Sequence, residues 1–453
     1  MRALALAALP LIVMGCGGST RSSGINPDGD ASPDAHGAID ASDGAASLGD
    51  APGARDSGAP GSLDSGTQGD DSSTPAGDSS VAAGDNVAPL IVDDGPPGAE
   101  SFNTPFVSVT ICIPGTTTCQ TIDHITVDTG SSGLHIIASV LNSNLALPQA
   151  MASTGSPLAE CQQYVDSAVW GSVRMADVKI AGEVASNIPV QIIADPNAAA
   201  APSDCTMSGM FELTDTVADY GANGLVGINQ VVQDCGPACA ASPPPVGGYY
   251  SCSGSTCTPV SVPLADQVPN PIAFFTHDNN GSIVSFEGAS VPVAGAATLT
   301  GSLIFGIGTQ SNNQVGSATV LTTDEYGNVT TLFDSQTLPE SYFDTGTSFL
   351  AFADSAITQC GQNDDWAGLY CPSSTVSLTA TNQGMNGTSK SAAFSVADAD
   401  SFNGNDAVFP AAGSPADGSG SFAWGFPFFI NRNVYVALAG ASTPSGPGPY
   451  FAY

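Results

Sequence analysis

Two stretches decide the fold of this chain: Ile125-Thr126-Val127-Asp128-Thr129-Gly130-Ser131-Ser132 and Ser341-Tyr342-Phe343-Asp344-Thr345-Gly346-Thr347-Ser348. Each runs an apolar approach into Asp-Thr-Gly, then a hydroxyl residue and a serine. A single Asp-Thr-Gly is ordinary turn chemistry, because Asp and Gly both favour turns. Two copies with the same continuation, each entered through a strand-like run, indicate a duplicated loop built to present a carboxylate. The surrounding sequence is made of short apolar runs between turn signals. Residues 107–112, 125–127, 178–180, 189–193, 282–286, 302–305 and 434–438 read as strands, and Asn280-Gly281 as a hairpin turn. Helical periodicity is weak throughout, and Gly 52 with Pro 33 in 453 residues suits strands and turns. The expected class is all-β with short helices at most.

The paired motif resembles that of the pepsin-like aspartic proteases, in which each of two β-lobes supplies one D-T-G-[ST] loop. Asn223-Gly224-Leu225-Val226-Gly227-Ile228 is similar to that family's hydrophobic-hydrophobic-Gly segment, and Ala423-Trp424-Gly425 with the following 426–436 to its C-terminal counterpart. Residues 301–306 are similar to a strand near the lobe boundary. The likeness covers roughly residues 100 to 453 and is closest to an exported, cysteine-rich bacterial lipoprotein branch. It implies a bilobal fold with a cleft, an N-terminal lobe over 89–310 and a C-terminal lobe over 311–453.

It also implies roles. Asp128 and Asp344 would activate a water between them and hydrolyse a bound, extended peptide. Thr129 and Thr345 would lock the two loops together. Gly130 and Gly346 would let backbone N–H groups approach the carboxylates, and Ser131 and Thr347 would bond their outer oxygens. No metal or cofactor enters this chemistry, and the protein would act as a monomer. Two carboxylates a few ångström apart cannot both ionise cheaply, so they share a proton; this dyad is a standard case of like-charge coupling.

The chain departs from the family in several places. Gly133-Leu134-His135 stands where pepsins usually carry a Trp. The segment 163–171 is short for a substrate-covering flap; Tyr164 is its candidate tyrosine, while Trp170 reads first as a core residue. The region before the lobes is acidic, with Arg21 and Arg55 as the cations of 17–88, so no basic plug for the cleft is visible. The alternative reading keeps the fold and drops the activity, leaving a catalytically silent surface binding protein; a structural or adhesive envelope protein rests only on the long tether.

The N-terminus fixes the expected compartment. Met1-Arg2 precedes an apolar run, and Val13-Met14-Gly15-Cys16 resembles a bacterial lipobox, so residues 1–15 read as a lipoprotein signal and Cys16 as the lipidation site. Acyl chains would be the membrane contact. Gly17-Gly18 in place of an aspartate suggests the outer membrane. Residues 16–88 have almost no large apolar side chains and read as a disordered, acidic tether. The other ten cysteines form an even set, as expected of disulfides in an exported chain, with Cys112–Cys119 and Cys360–Cys371 the clearest local pairs.

Charge excludes further classes. With 42 Asp or Glu against 7 Lys or Arg, the net charge is −35, which leaves no cationic footprint for nucleic acid. Of the four histidines (His36, His124, His135, His277), His36 lies in the tether, and His124 and His135, flanking the first motif, read as surface or loop residues rather than bases. No H-E-x-x-H or G-x-S-x-G accompanies them.

Overall fold

The structure, a computed structural model, describes residues 85–164, 167–416 and 420–453. The expected leader, Cys16 and the tether up to residue 84 lie outside them. The first described element is β1 (Val87–Val92), whose alternate residues point into the core. Then come β2 (Pro105–Cys112) and β3 (Cys119–Asp128), a hairpin whose end pair Cys112 and Cys119 is disulfide-bonded. β4 (Ser132–Ile137), β5 (Leu158–Gln163), β6 (Ser167–Ile180) and β7 (Glu183–Ile193) follow. A short helix α1 (Val217–Tyr220) leads into β8 (Gly224–Ile228). These strands hydrogen-bond in the order β5-β6-β7-β4-β8-β3-β2, and β2 also pairs with β6, so the N-terminal strands close on themselves as a barrel. Closure removes exposed edges.

The same large sheet continues from β2 through β1 to β10 (Leu299–Phe305), β9 (Gly281–Ser285), β14 (Asn433–Ala437) and β15 (Tyr450–Ala452). The last strands of the chain are thereby stitched to the first. A second sheet of seven strands holds β11 (Gln336–Phe343), β12 (Leu350–Ala351) and β13 (Ala423–Trp424). Beneath it lies an aromatic core: Phe422 stacks on Trp424 at 4.1 Å, Phe352 on Phe422 at 4.9 Å, and Phe343 meets Phe451 at 4.9 Å. Burial of each such ring contributes roughly 2 kcal/mol of transfer free energy.

The duplication seen in sequence is a duplication of topology. β8 runs parallel to β3, pairing Asp128 with Gly227, and antiparallel to β4, pairing Ser132 with Ile228. β13 repeats this, parallel to β11 (Phe343 with Trp424) and antiparallel to β12 (Leu350 with Trp424). Each Asp-Thr-Gly loop is therefore straddled by a strand from later in the chain. Each straddling segment needs a glycine where it passes the loop: a Cβ on Gly227, within β8, would lie 2.5 Å from the Ser131 carbonyl carbon, and one on Gly425, just after β13, 2.0 Å from the Phe349 oxygen.

All seven expected strand segments overlap strands. Two local expectations fail. Asn280-Gly281 is not a hairpin turn: Gly281 opens β9, whose partners are β10 and β14, and the Asn280 amide clamps Ile307 from both sides, accepting from its N–H at 2.7 Å and donating to its carbonyl at 3.0 Å. His135 is neither surface nor loop. It is fully buried within β4, a strand enclosed on both faces. The ten cysteines form five disulfides, including both expected pairs and Cys161–Cys205, Cys235–Cys239 and Cys252–Cys257.

Candidate active site

β3 and β11 end facing each other, and each delivers an aspartate into a tight loop. The threonines interlock the loops. Thr129 Oγ1 donates to the Phe343 carbonyl at 2.9 Å and accepts from the Thr345 N–H at 3.0 Å. Thr345 Oγ1 donates to the Val127 carbonyl at 2.6 Å and accepts from the Thr129 N–H at 3.1 Å. All four hydrogen bonds are buried, and each joins a group of one loop to a group of the other.

The carboxylates are held with the same symmetry. Gly130 N–H donates to Asp128 Oδ1 at 2.7 Å, and Gly346 N–H to Asp344 Oδ1 at 2.7 Å. Ser131 Oγ donates to Asp128 Oδ2, and Thr347 Oγ1 to Asp344 Oδ2 at 2.6 Å. The glycines do more than the sequence suggested. A Cβ on Gly130 would sit 2.7 Å from Asp344 Cγ, and one on Gly346 2.8 Å from Asp128 Oδ1, so each glycine makes room for the carboxylate of the other loop. Asp128 lies deeper, at 6% exposure. Burial, then the negative charge of Asp344 and a hydrogen bond to it, raise the Asp128 carboxyl well above its ordinary range, outweighing the donors Ser131 and Gly130. The outer oxygen of each carboxyl is thus occupied by a hydroxyl.

Tyr164 follows β5, and its N–H donates to the Ser167 carbonyl at 2.8 Å where the hairpin turns. Its hydroxyl meets that of Tyr220, the last residue of α1, at 3.2 Å. Tyr342 precedes the second motif on β11. Burial raises all three phenols, and the Asp128 charge adds to this in each case. The sequence gives neither Tyr220 nor Tyr342 a role of its own, although Tyr342 lies within the second repeated stretch and Tyr220 three residues before Asn223-Gly224.

A second acid pair lies under the hairpin. Glu160 on β5 is 1% exposed, and its carboxyl interacts with that of Asp234. Tyr249 donates to Asp234 at 2.7 Å, and Gln191 Nε2 to the Glu160 carbonyl at 2.9 Å. His135 closes the group, with Nδ1 2.8 Å from Gln191 Oε1; burial lowers its pKa. Burial raises Asp234. Trp170 is core, as read: it donates to the Ala199 carbonyl at 2.7 Å and packs edge-on to Tyr250. A cavity of about 860 Å³, lined by Asp94, Glu100, Asp364, Asp365 and Asp400 around Trp366 and Phe402, includes none of the residues of the two loops.

Residues 82–453 match the family model described as "Protein of unknown function (DUF3443)", and the chain belongs to that family. No curated protein matches it. Among solved structures it is similar to the aspartic proteinase from Irpex lacteus, at 16% identity and a TM-score of 0.47, over 81% of this chain and 96% of that one.

Proposed function

We propose that this protein is an aspartic endopeptidase. The observation that carries the reading is the reciprocal dyad, two carboxyls from duplicated loops that are coupled to each other and faced by each other's glycine. In this reading a peptide lies extended across the two loops. The ionised member of the pair takes a proton from the water as its oxygen attacks the amide carbon. The protonated member donates to the carbonyl oxygen, giving a neutral tetrahedral diol. The protonated member then gives its proton to the amide nitrogen while the ionised member takes one from a diol hydroxyl, so the C–N bond breaks, the carbonyl of the new carboxylic acid forms, and the pair again holds one proton. Ser131 and Thr347 keep the outer oxygens engaged, so the inner ones do the work. Five disulfides support an oxidising compartment, and the residues around Cys16 support lipid anchoring of the envelope side, with the outer membrane favoured by Gly17-Gly18.

The test is casein cleavage by the full, disulfide-bonded chain at acid pH, with and without pepstatin, beside Asp128→Asn and Asp344→Asn. Each substitution should lower the rate by on the order of 10³-fold or more with the fold intact by circular dichroism. Cleavage that persists in both variants refutes the assignment, and a folded wild type that cleaves nothing favours the silent binding protein.

A further inference from the structure

We propose that Tyr220 is a positioning residue of this site, its hydroxyl fixing the Tyr164 phenol. The inference rests on the peptidase reading for its catalytic consequence and on geometry for the contact itself.

Tyr220 is on a rigid mount. Thr216 caps α1 by accepting from the Asp219 N–H at 3.1 Å, and Gly221 ends it in the left-handed region (φ 74°). The Gly221 carbonyl accepts from Ser101 Oγ at 2.6 Å. Two residues on, Asn223 N–H donates to the His124 carbonyl at 3.0 Å and Asn223 Nδ2 to the Asp123 carbonyl at 3.0 Å. The Asn223 carbonyl accepts from the Ile137 N–H at 3.1 Å. Within three residues of Tyr220 the chain is thus fastened to β3, which ends at Asp128, and to β4, which leaves the same loop.

Tyr164 has no comparable mount. It lies past the last residue of β5, and its ring packs on an apolar group of Ile137, Val169 and Ile193 together with Val217 and Tyr220. Apolar packing places the ring but does not orient its polar tip. The 3.2 Å hydroxyl–hydroxyl contact does, and it refers the phenol to the strand that carries Asp128. Ile137 of that group ends β4, the strand that leaves the Asp128 loop, and the Asp128 charge adds to what burial does in raising both phenols.

Tyr220→Phe removes the hydroxyl and keeps the ring. On labelled casein at acid pH, kcat/KM should fall about tenfold, the worth of one hydrogen bond, and Tyr164→Phe should do the same. The double variant should be no worse than either single one, since both act through one contact. A wild-type rate in Tyr220→Phe overturns the proposal, and so does an additive loss in the double variant, because independent structural damage would add. If the wild-type chain cleaves no casein, the peptidase reading fails and the contact is judged by hydrogen exchange. Tyr220→Phe should then speed exchange of the Leu158–Gln163 amides roughly tenfold. Unchanged exchange overturns it.

Discussion

Thr129 and Thr345 show what one hydroxyl can hold. Each donates to a backbone carbonyl of the opposite strand and accepts an N–H from the opposite loop, so the register between the two aspartates is set by four hydrogen bonds. Thr345→Val keeps the shape and strands the Thr129 N–H and the Val127 carbonyl in the core. Leaving buried groups unsatisfied costs about 1–3 kcal/mol each. The substitution should lower stability by about 2–3 kcal/mol in guanidinium unfolding; a shift within a few tenths of wild type would contradict this account of the contact. The eight motif residues were legible because duplication marks them. The second task of Gly130 and Gly346 was not, because it depends on which loop faces which. Tyr220 and Asp234 escaped notice for the same reason: neither belongs to a repeated pattern, and each gains its meaning from a partner distant in the chain.

At the level of elements, strands were legible wherever apolar residues alternate or cluster. The readings of β4 and of Asn280-Gly281 failed where local signals run out. Both faces of β4 are buried, so a polar residue within it need not mark a surface, and His135 is accommodated by Gln191 and the Ser132 carbonyl. Asn-Gly signals a hairpin only when a strand precedes it. Here no strand precedes it: a 3-10 turn, Pro271–Phe274, is followed by bends up to Gly281. β5 also carries a pH dependence. Asp234, paired with Glu160, is raised above its ordinary value, so the folded state holds a proton that the unfolded chain releases near pH 4. Its stabilising contribution is fully present below that pH and is lost as pH rises through the folded value. Asp128 acts in the same direction. Thermal stability should therefore decline from pH 4 toward neutrality, and Asp234→Asn should make the decline shallower. Equal slopes in wild type and variant would show that the pair does not titrate as described.

Across the whole molecule, the two motifs meet because the chain's ends share one sheet. β1 joins β10, β9, β14 and β15, which carries the C-terminal segment back to the N-terminal strands while β11 and β13 form the second lobe's loop. The bilobal all-β plan was legible from two motifs and their trailing segments. The barrel closure of β2 on β6 was not, since it requires pairing across nearly seventy residues. A net charge of −35 adds self-repulsion that protonation relieves, in the same direction as the buried acids. The most direct test of the shared-proton dyad is the pH dependence of kcat/KM for casein hydrolysis by the wild-type chain. The account predicts a bell with its maximum below neutral pH, falling on the alkaline side as the pair loses its retained proton. A maximum at pH 8 or above would contradict it.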